Sequence, residues 1–285
     1  IRQGIYAWAL GPSYETPSIT PNLEDKKDGE TLKIHIAPLA GLVEGDDGIE
    51  QINKLIKLYD EWINKRKVEA AKLNNKYQKA AERHINECLT ALQRMKDGLD
   101  LINGNQNANL AFKLTNRAML IQQLCGSLDK RIVKYNREEK RHFYSREYKD
   151  PDLNSKAAME RSWRPFQIAF LLMNIPSLLN QDGANRELVD LIWFPTGGGK
   201  TEAYLAAAAF SLFLRRMRNN GDKGTDIIMR YTLRLLTAQQ FQRASGLICA
   251  MESIRNKKED LLGSHPFSIG IWVGGDTTPN SIRDA

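Results

Sequence analysis

LVDLIWFPTGGGKTEAYL, residues 188–205, sets four things in a row: an apolar run, three glycines, a Lys-Thr pair and the start of a helix. Leu188, Val189, Leu191, Ile192, Trp193 and Phe194 are nearly continuous, with Asp190 among them, a pattern that suits a parallel strand covered on both faces. Pro195 ends the strand because it offers no N–H to a ladder. Gly197, Gly198 and Gly199 let the backbone curl so that several N–H groups converge on an anion, and Thr196 stands at the mouth of that curl. Lys200 can reach outer phosphates, and the Thr201 hydroxyl can take a place on Mg²⁺. A helix starting here turns its positive end to the same point. The general form G-x-x-x-x-G-K-[ST] asks for a first glycine where this chain has Phe194, a relaxation frequent in helicase loops. Isolated, a glycine run is a common turn; strand, PTGGGKT and apolar helix in succession are rare.

Outward from the loop, the chain has 285 residues, long enough for two domains, with 42% hydrophobic and 26% charged residues. Its net charge of +7 favours polyanionic partners. Cys88, Cys125 and Cys249 form neither a disulfide framework nor a metal set, which points to a reducing, cytoplasmic location. No apolar run reaches the roughly 18 residues of a membrane helix, so no membrane partner is expected. The four histidines are scattered and suggest no zinc site. The first residue is Ile1, not Met, and the reading expects a piece of a longer protein.

Residues 1–47 read as an N-terminal segment with strands at GIYAWAL (4–10) and TLKIHIAPL (31–39). Residues 48–150 read as a helical domain. Between Gly48 and Gly98, Ile52, Ile56, Tyr59, Ile63, Cys88, Leu92 and Met95 recur at helical steps, giving one long helix or a pair broken near Asn74 and Asn75. NGNQNAN (103–109) reads as a loop, followed by a helix over about 110–125. Residues 130–149 hold eight Lys and Arg against three Glu, interleaved with Tyr135, Phe143, Tyr144 and Tyr148. A single-strand groove uses that mixture, and so does a solvated helix-loop. A linker around Pro151 leads to residues 160–285. There Trp163-Arg164-Pro165-Phe166-Gln167 opens an apolar helix about thirty residues before the glycine loop, and the Gln167 amide can pair with an adenine edge. After the loop come an apolar helix, a strand at 226–231, a helix ending near Arg255, and a strand at 267–273 closed by Gly274 and Gly275. Strand, helix, strand, helix, strand predicts an α/β parallel sheet with its site at the carboxyl ends of the strands.

Taken together, residues 163–278 resemble the first RecA-like domain of superfamily 2 helicases. Trp163 to Gln167 resembles the adenine motif, PTGGGKTE the phosphate loop, residues 232–239 motif Ia, and Gly274-Gly275 motif Ib. Thr232 stands where motif Ia has proline; Arg234 and Gln239 take the Arg and Gln positions. WRPFQIAFLL, MRYTLRLLTAQQFQRA and IWVGGDTTPNS are closest in wording to the helicase family of bacterial DISARM anti-phage systems, with AFKLTNRAM (111–119) a weaker patch. The resemblance implies a RecA-like P-loop parallel sheet, incomplete here and preceded by a mainly α-helical region. It also implies ATP and Mg²⁺ as cofactors, with DNA and another DISARM subunit as partners. Gln167, Arg164, Thr196, Gly197, Gly198, Gly199, Lys200, Thr201 and Glu202 would bind nucleotide, with Lys200 and Thr201 catalytic and Thr201 on the metal. Thr232, Arg234, Gly274, Gly275 and Thr277 would grip the DNA backbone. The acidic motif II and the facing RecA domain are absent from these residues, so little hydrolysis is expected of them alone. The competing reading is a nucleotide-switched scaffold that recruits partners without translocating. DNA-stimulated ATPase separates the two.

Overall fold

The structure, a computed structural model, describes residues 32–127, 131–180, 182–183, 186–192, 199–231 and 234–272, with 234–236 as backbone alone. The strand expected at 4–10 lies outside these residues. The second expected strand shrinks to β1 (Ile34–His35), which runs straight into a short helix, α1 (Ile36–Leu39). The predicted helical pair is present as α2 (Ile49–Ala70) and α3 (Asn75–Gly104). Asn74 divides them, its side chain accepting from the Lys76 N–H as an N-cap. The predicted loop at 103–109 is instead helical at both ends. α3 runs on to Gly104, and Asn105 caps α4 (Gln106–Gly126) by accepting from the Ala108 N–H. A capping asparagine does in one residue what a polar stretch had suggested needed seven.

The basic segment is neither helix nor loop. β2 (Val133–Asn136) and β3 (Arg141–Tyr144) pair as an antiparallel hairpin. A short α5 (Lys156–Met159) precedes β4 (Ser162–Trp163), which pairs antiparallel with β1. Then come α6 (Pro165–Leu179), α7 (Lys200–Arg218), α8 (Arg234–Asn256) and α9 (Glu259–Leu262).

α6 is apolar on almost every side because it is covered on almost every side. It packs between α3 and α7, and α4 packs on α7 and α8. One cluster of buried side chains therefore runs from Ile52 and Leu55 of α2 through Leu171 and Leu172 of α6 to Phe210 and Phe213 of α7. Trp163 anchors the start of α6 in that cluster. Its indole N–H donates to Asn116 Oδ1 at 2.7 Å, and Asn116 donates to the Phe112 carbonyl within α4.

The expected parallel sheet is not found among the described residues, whose two sheets are two-stranded and antiparallel. The described parts of the three expected strands, residues 188–192, 226–231 and 267–272, carry no ladder pairing. Apolar alternation marks a segment as fit for a sheet but does not supply the neighbouring strand. The segments are nevertheless held in place beside the helices. Arg215 of α7 binds Asp222 and Asp226. Buried Arg216 donates to the Leu262, His265 and Pro266 carbonyls, and buried Arg255 to that of Gly263. Between α7, α8 and the last two segments lies a cavity of about 640 Å³, lined by Leu205, Leu212, Phe241, Leu247, Ile269 and Trp272 among others.

Candidate nucleotide site

The site is built where the beginnings of α6 and α7 meet. Gly199 is the residue before α7 and adopts φ +85°, a left-handed conformation that a side chain resists. Its carbonyl accepts from Gln167 Nε2 at 2.8 Å, while Gln167 Oε1 accepts from the Arg164 N–H at 2.9 Å. Gln167 is buried, so its amide ties the first turn of α6 to the last glycine of the loop. A Cβ on Gly199 would lie 2.7 Å from Gln167 Nε2, 3.5 Å from a Glu202 carboxylate oxygen and 3.6 Å from Arg164 Nη1. Arg164, Gln167 and Glu202 thus surround Gly199. Lys200 is the first residue of the 19-residue α7, at the positive end of its dipole. The helix that follows Gly199 is anchored through Ala203, Leu205 and Ala206, all buried.

Thr201, the next residue, is buried. Its hydroxyl donates to Gln240 Oε1 of α8 at 3.1 Å. The Tyr204 hydroxyl lies 2.9 Å from the same Gln240 oxygen, 3.2 Å from Thr201 Oγ1 and 3.0 Å from the Tyr231 hydroxyl. The Tyr204 hydroxyl can donate to either Gln240 Oε1 or Thr201 Oγ1, so the side chains form one connected network. Burial, with the Tyr204 hydrogen bond adding to it, raises the Tyr231 pKa well above the usual tyrosine value, so the Tyr231 hydroxyl keeps its proton. Glu202 forms an ion pair with Arg243 of α8, and burial pulls the Arg243 pKa below its ordinary value. Three links therefore join the start of α7 to α8. The glutamine that makes the contact is Gln240; Gln239, the one aligned with motif Ia, is exposed. One residue is 100° of helix, and packing chose the other face.

Arg94 of α3 carries no motif, yet its guanidinium takes both oxygens of Asp190 at 2.7 Å each and donates to the Met173 carbonyl at the end of the same cluster. Both side chains are only 8% exposed. The helical region thereby holds the segment that feeds the glycine loop. Each member left a sequence signal, a charge on the core face of a helix and an acid inside an apolar run, but their pairing crosses 96 residues.

Thr196, Gly197, Gly198, Thr232, Gly274, Gly275 and Thr277 lie outside the described residues, and of Arg234 only the backbone, opening α8, is described. Among the described residues no three His, Cys, Asp or Glu side chains gather as a metal site, and no helix is long and apolar enough to cross a membrane.

No family model matches the chain. Among curated proteins, the DISARM protein DrmA of Bacillus paralicheniformis is 38% identical over 97% of this chain. The chain resembles DrmA. The likeness runs through the helical region as well as the glycine loop, so the Arg94 helix and the Asp190 segment both fall within it. The chain spans 24% of the length of that DrmA.

Proposed function

We propose that this chain is the nucleotide-binding part of an ATP-driven DNA translocase in a bacterial anti-phage system of the DISARM type. The observation that carries the reading is the junction at Gly199: a left-handed glycine held by Gln167 of α6, followed at once by Lys200 and the N-terminus of a long helix. Oriented N–H groups, a helix dipole and a lysine in one place form a site for a polyphosphate. The DrmA likeness supports the defence setting and an association with another DISARM subunit. The RecA-like α/β layering is part of the same proposal. α7 and α8 run beside extended segments whose apolar residues, such as Ile228 at 88% exposure, have the composition of sheet strands.

In this reading Lys200 and the amides of residues 197–199 bind the phosphates, with Thr196 and Glu202 at the edge of the loop. Arg164 and Gln167 orient the base end. Thr201 offers its oxygen to Mg²⁺, with its hydrogen directed away into Gln240. ATP with Mg²⁺ supplies the free energy of hydrolysis that drives movement. In the same reading Thr232, Arg234, Gly274, Gly275 and Thr277 contact the DNA backbone.

Lys200→Ala in the full-length protein tests this. DNA-stimulated ATPase should fall at least about a hundredfold, in keeping with the loss of one preorganised charge at a transferring phosphoryl group, while DNA affinity stays within about twofold. ATPase that survives the change overturns the reading. Nucleotide binding without DNA stimulation in the unaltered protein favours the switched scaffold.

A further inference from the structure

The β2–β3 hairpin lies outside the nucleotide site and has no role there. Its register places Val133 opposite Tyr144, Lys134 opposite Phe143, Tyr135 opposite His142 and Asn136 opposite Arg141. Cross-strand partners share a face, so Tyr135, His142 and Tyr144 lie together on one side and Lys134, Arg141 and Phe143 on the other. The Tyr135 and His142 rings are 5.0 Å apart, and the Arg131 guanidinium lies 4.3 Å from the centre of Tyr144 and 5.3 Å from that of Tyr148. Planar groups thus follow one another along this face.

Neither face is packed. Tyr135 is 53% exposed, Phe143 44%, Tyr144 54% and Tyr148 55%. Two strands with both sides in water have no core of their own and are marginal. The hairpin is instead held by its turn and its stem. Asn136 Oδ1 accepts from the Glu138 and Glu139 N–H groups. Ile132 and Ser145 exchange two further bonds. At the base, Tyr148 meets Cys125 at the end of α4, and Asp150 pairs with Lys257 after α8. A tethered hairpin that holds out a row of aromatic rings, each about half exposed, is what a ligand-binding platform requires. The charge identifies the ligand: residues 131–149 hold seven Lys and Arg against three Glu, around the aromatic rings.

We infer that the β2–β3 hairpin is a binding platform for single-stranded nucleic acid, with Tyr135, His142 and Tyr144 stacking on unpaired bases and Lys134, Arg137 and neighbouring cations holding the phosphates. An acidic protein surface would meet the cations but offers no series of planar groups to stack along a row of rings. Duplex hides its base faces and would use the cations alone. The platform does not depend on the glycine loop, so its fate and that of the proposed ATPase are separable.

The test uses the full-length protein without nucleotide, in the Lys200→Ala background, titrating fluorescent oligo-dT, oligo-rU and a mixed-sequence duplex. Tyr135→Ala with Tyr144→Ala should weaken both single strands by at least about tenfold, since each stacked ring contributes on the order of 1–3 kcal/mol. Duplex binding should change by less than about twofold. Tyr135→Phe with Tyr144→Phe should restore the affinity, because the ring and not the hydroxyl stacks. Lys134→Ala should flatten the dependence of log affinity on log salt by about 0.7. Ultraviolet crosslinking to oligo-dT should map to residues 131–149, a readout that other DNA contacts in the protein cannot supply. All these side chains are exposed, so melting temperatures should not move. Equal loss on duplex, or no crosslink within the hairpin, overturns the inference. So does unchanged single-strand affinity combined with loss of a co-purifying protein subunit, which would make the hairpin a protein-docking surface.

Discussion

A methyl group on Gly199 would come 2.7 Å from Gln167 Nε2 with the backbone at φ +85°, so two separate penalties meet at one residue. Gly199→Ala should cost about 1–2 kcal/mol from the left-handed strain alone. It should also raise the nucleotide dissociation constant at least about tenfold by displacing the start of α7. Denaturant unfolding and titration with a fluorescent ATP analogue measure the two. Adding Gln167→Ala removes the clash but not the strain, so the pair should be non-additive, the double variant recovering part of the stability. Had the double variant simply summed the two losses, the contact between these residues would have no energetic weight. Gly199, Lys200 and Thr201 were readable because their chemistry is local: three glycines, a cation and a hydroxyl need only their neighbours to make sense. Gln240 was not readable in the same way. It adjoins Gln239, and which of two successive glutamines faces Thr201 depends on how α8 lies against α7.

Among the elements, α2, α3, α4, α6 and α7 follow from spacing, because a stripe of apolar residues at helical steps has one economical conformation. Their ends followed less well. α3 continues six residues past Gly98, and the reason Gly98 is glycine lies elsewhere. A Cβ there would meet the Leu172 carbonyl oxygen at 2.1 Å, so this glycine lets α3 and α6 pack close together. Gly98→Ala should lower stability by about 1–3 kcal/mol, the usual cost of overpacking. Gly104→Ala, at a glycine with no atom within 4 Å, should leave it unchanged or slightly raised. Thermal unfolding of the two variants checks this, and equal effects would show that helix propensity and not the α3–α6 approach sets the result. The β2–β3 hairpin was compatible with its composition but not implied by it. Strands of four residues, VKYN and RHFY, are too short for a pattern to mark them, and neither face of the hairpin is buried.

Across the whole molecule, the helical region and the nucleotide segment are joined by one apolar cluster and by the Arg94–Asp190 pair. Removing one partner of a buried pair leaves the other charge uncompensated, and Arg94→Met should cost about 3–5 kcal/mol. Arg94→Met combined with Asp190→Leu should regain most of that, because two apolar groups of similar size need no counterpart. Nucleotide affinity should fall in the single variant, since Asp190 lies nine residues before Gly199, and recover in part in the double. A double-mutant cycle on unfolding free energy gives the coupling, and a value near zero would mean the pair does not join the two regions.

Residues 188–205 were enough to propose a phosphate loop, and the spacing of apolar residues was enough to recognise the helices. Both are short-range properties, settled by the conformations that neighbouring residues allow one another. The pairing of Arg94 with Asp190, the choice of Gln240, the close approach at Gly98 and the open hairpin were settled by packing between elements far apart in the chain. The three apolar runs show the boundary most clearly. Their composition marks them as fit for strands, but a strand is defined by the hydrogen-bonding neighbour beside it, and no residue within the run specifies that neighbour.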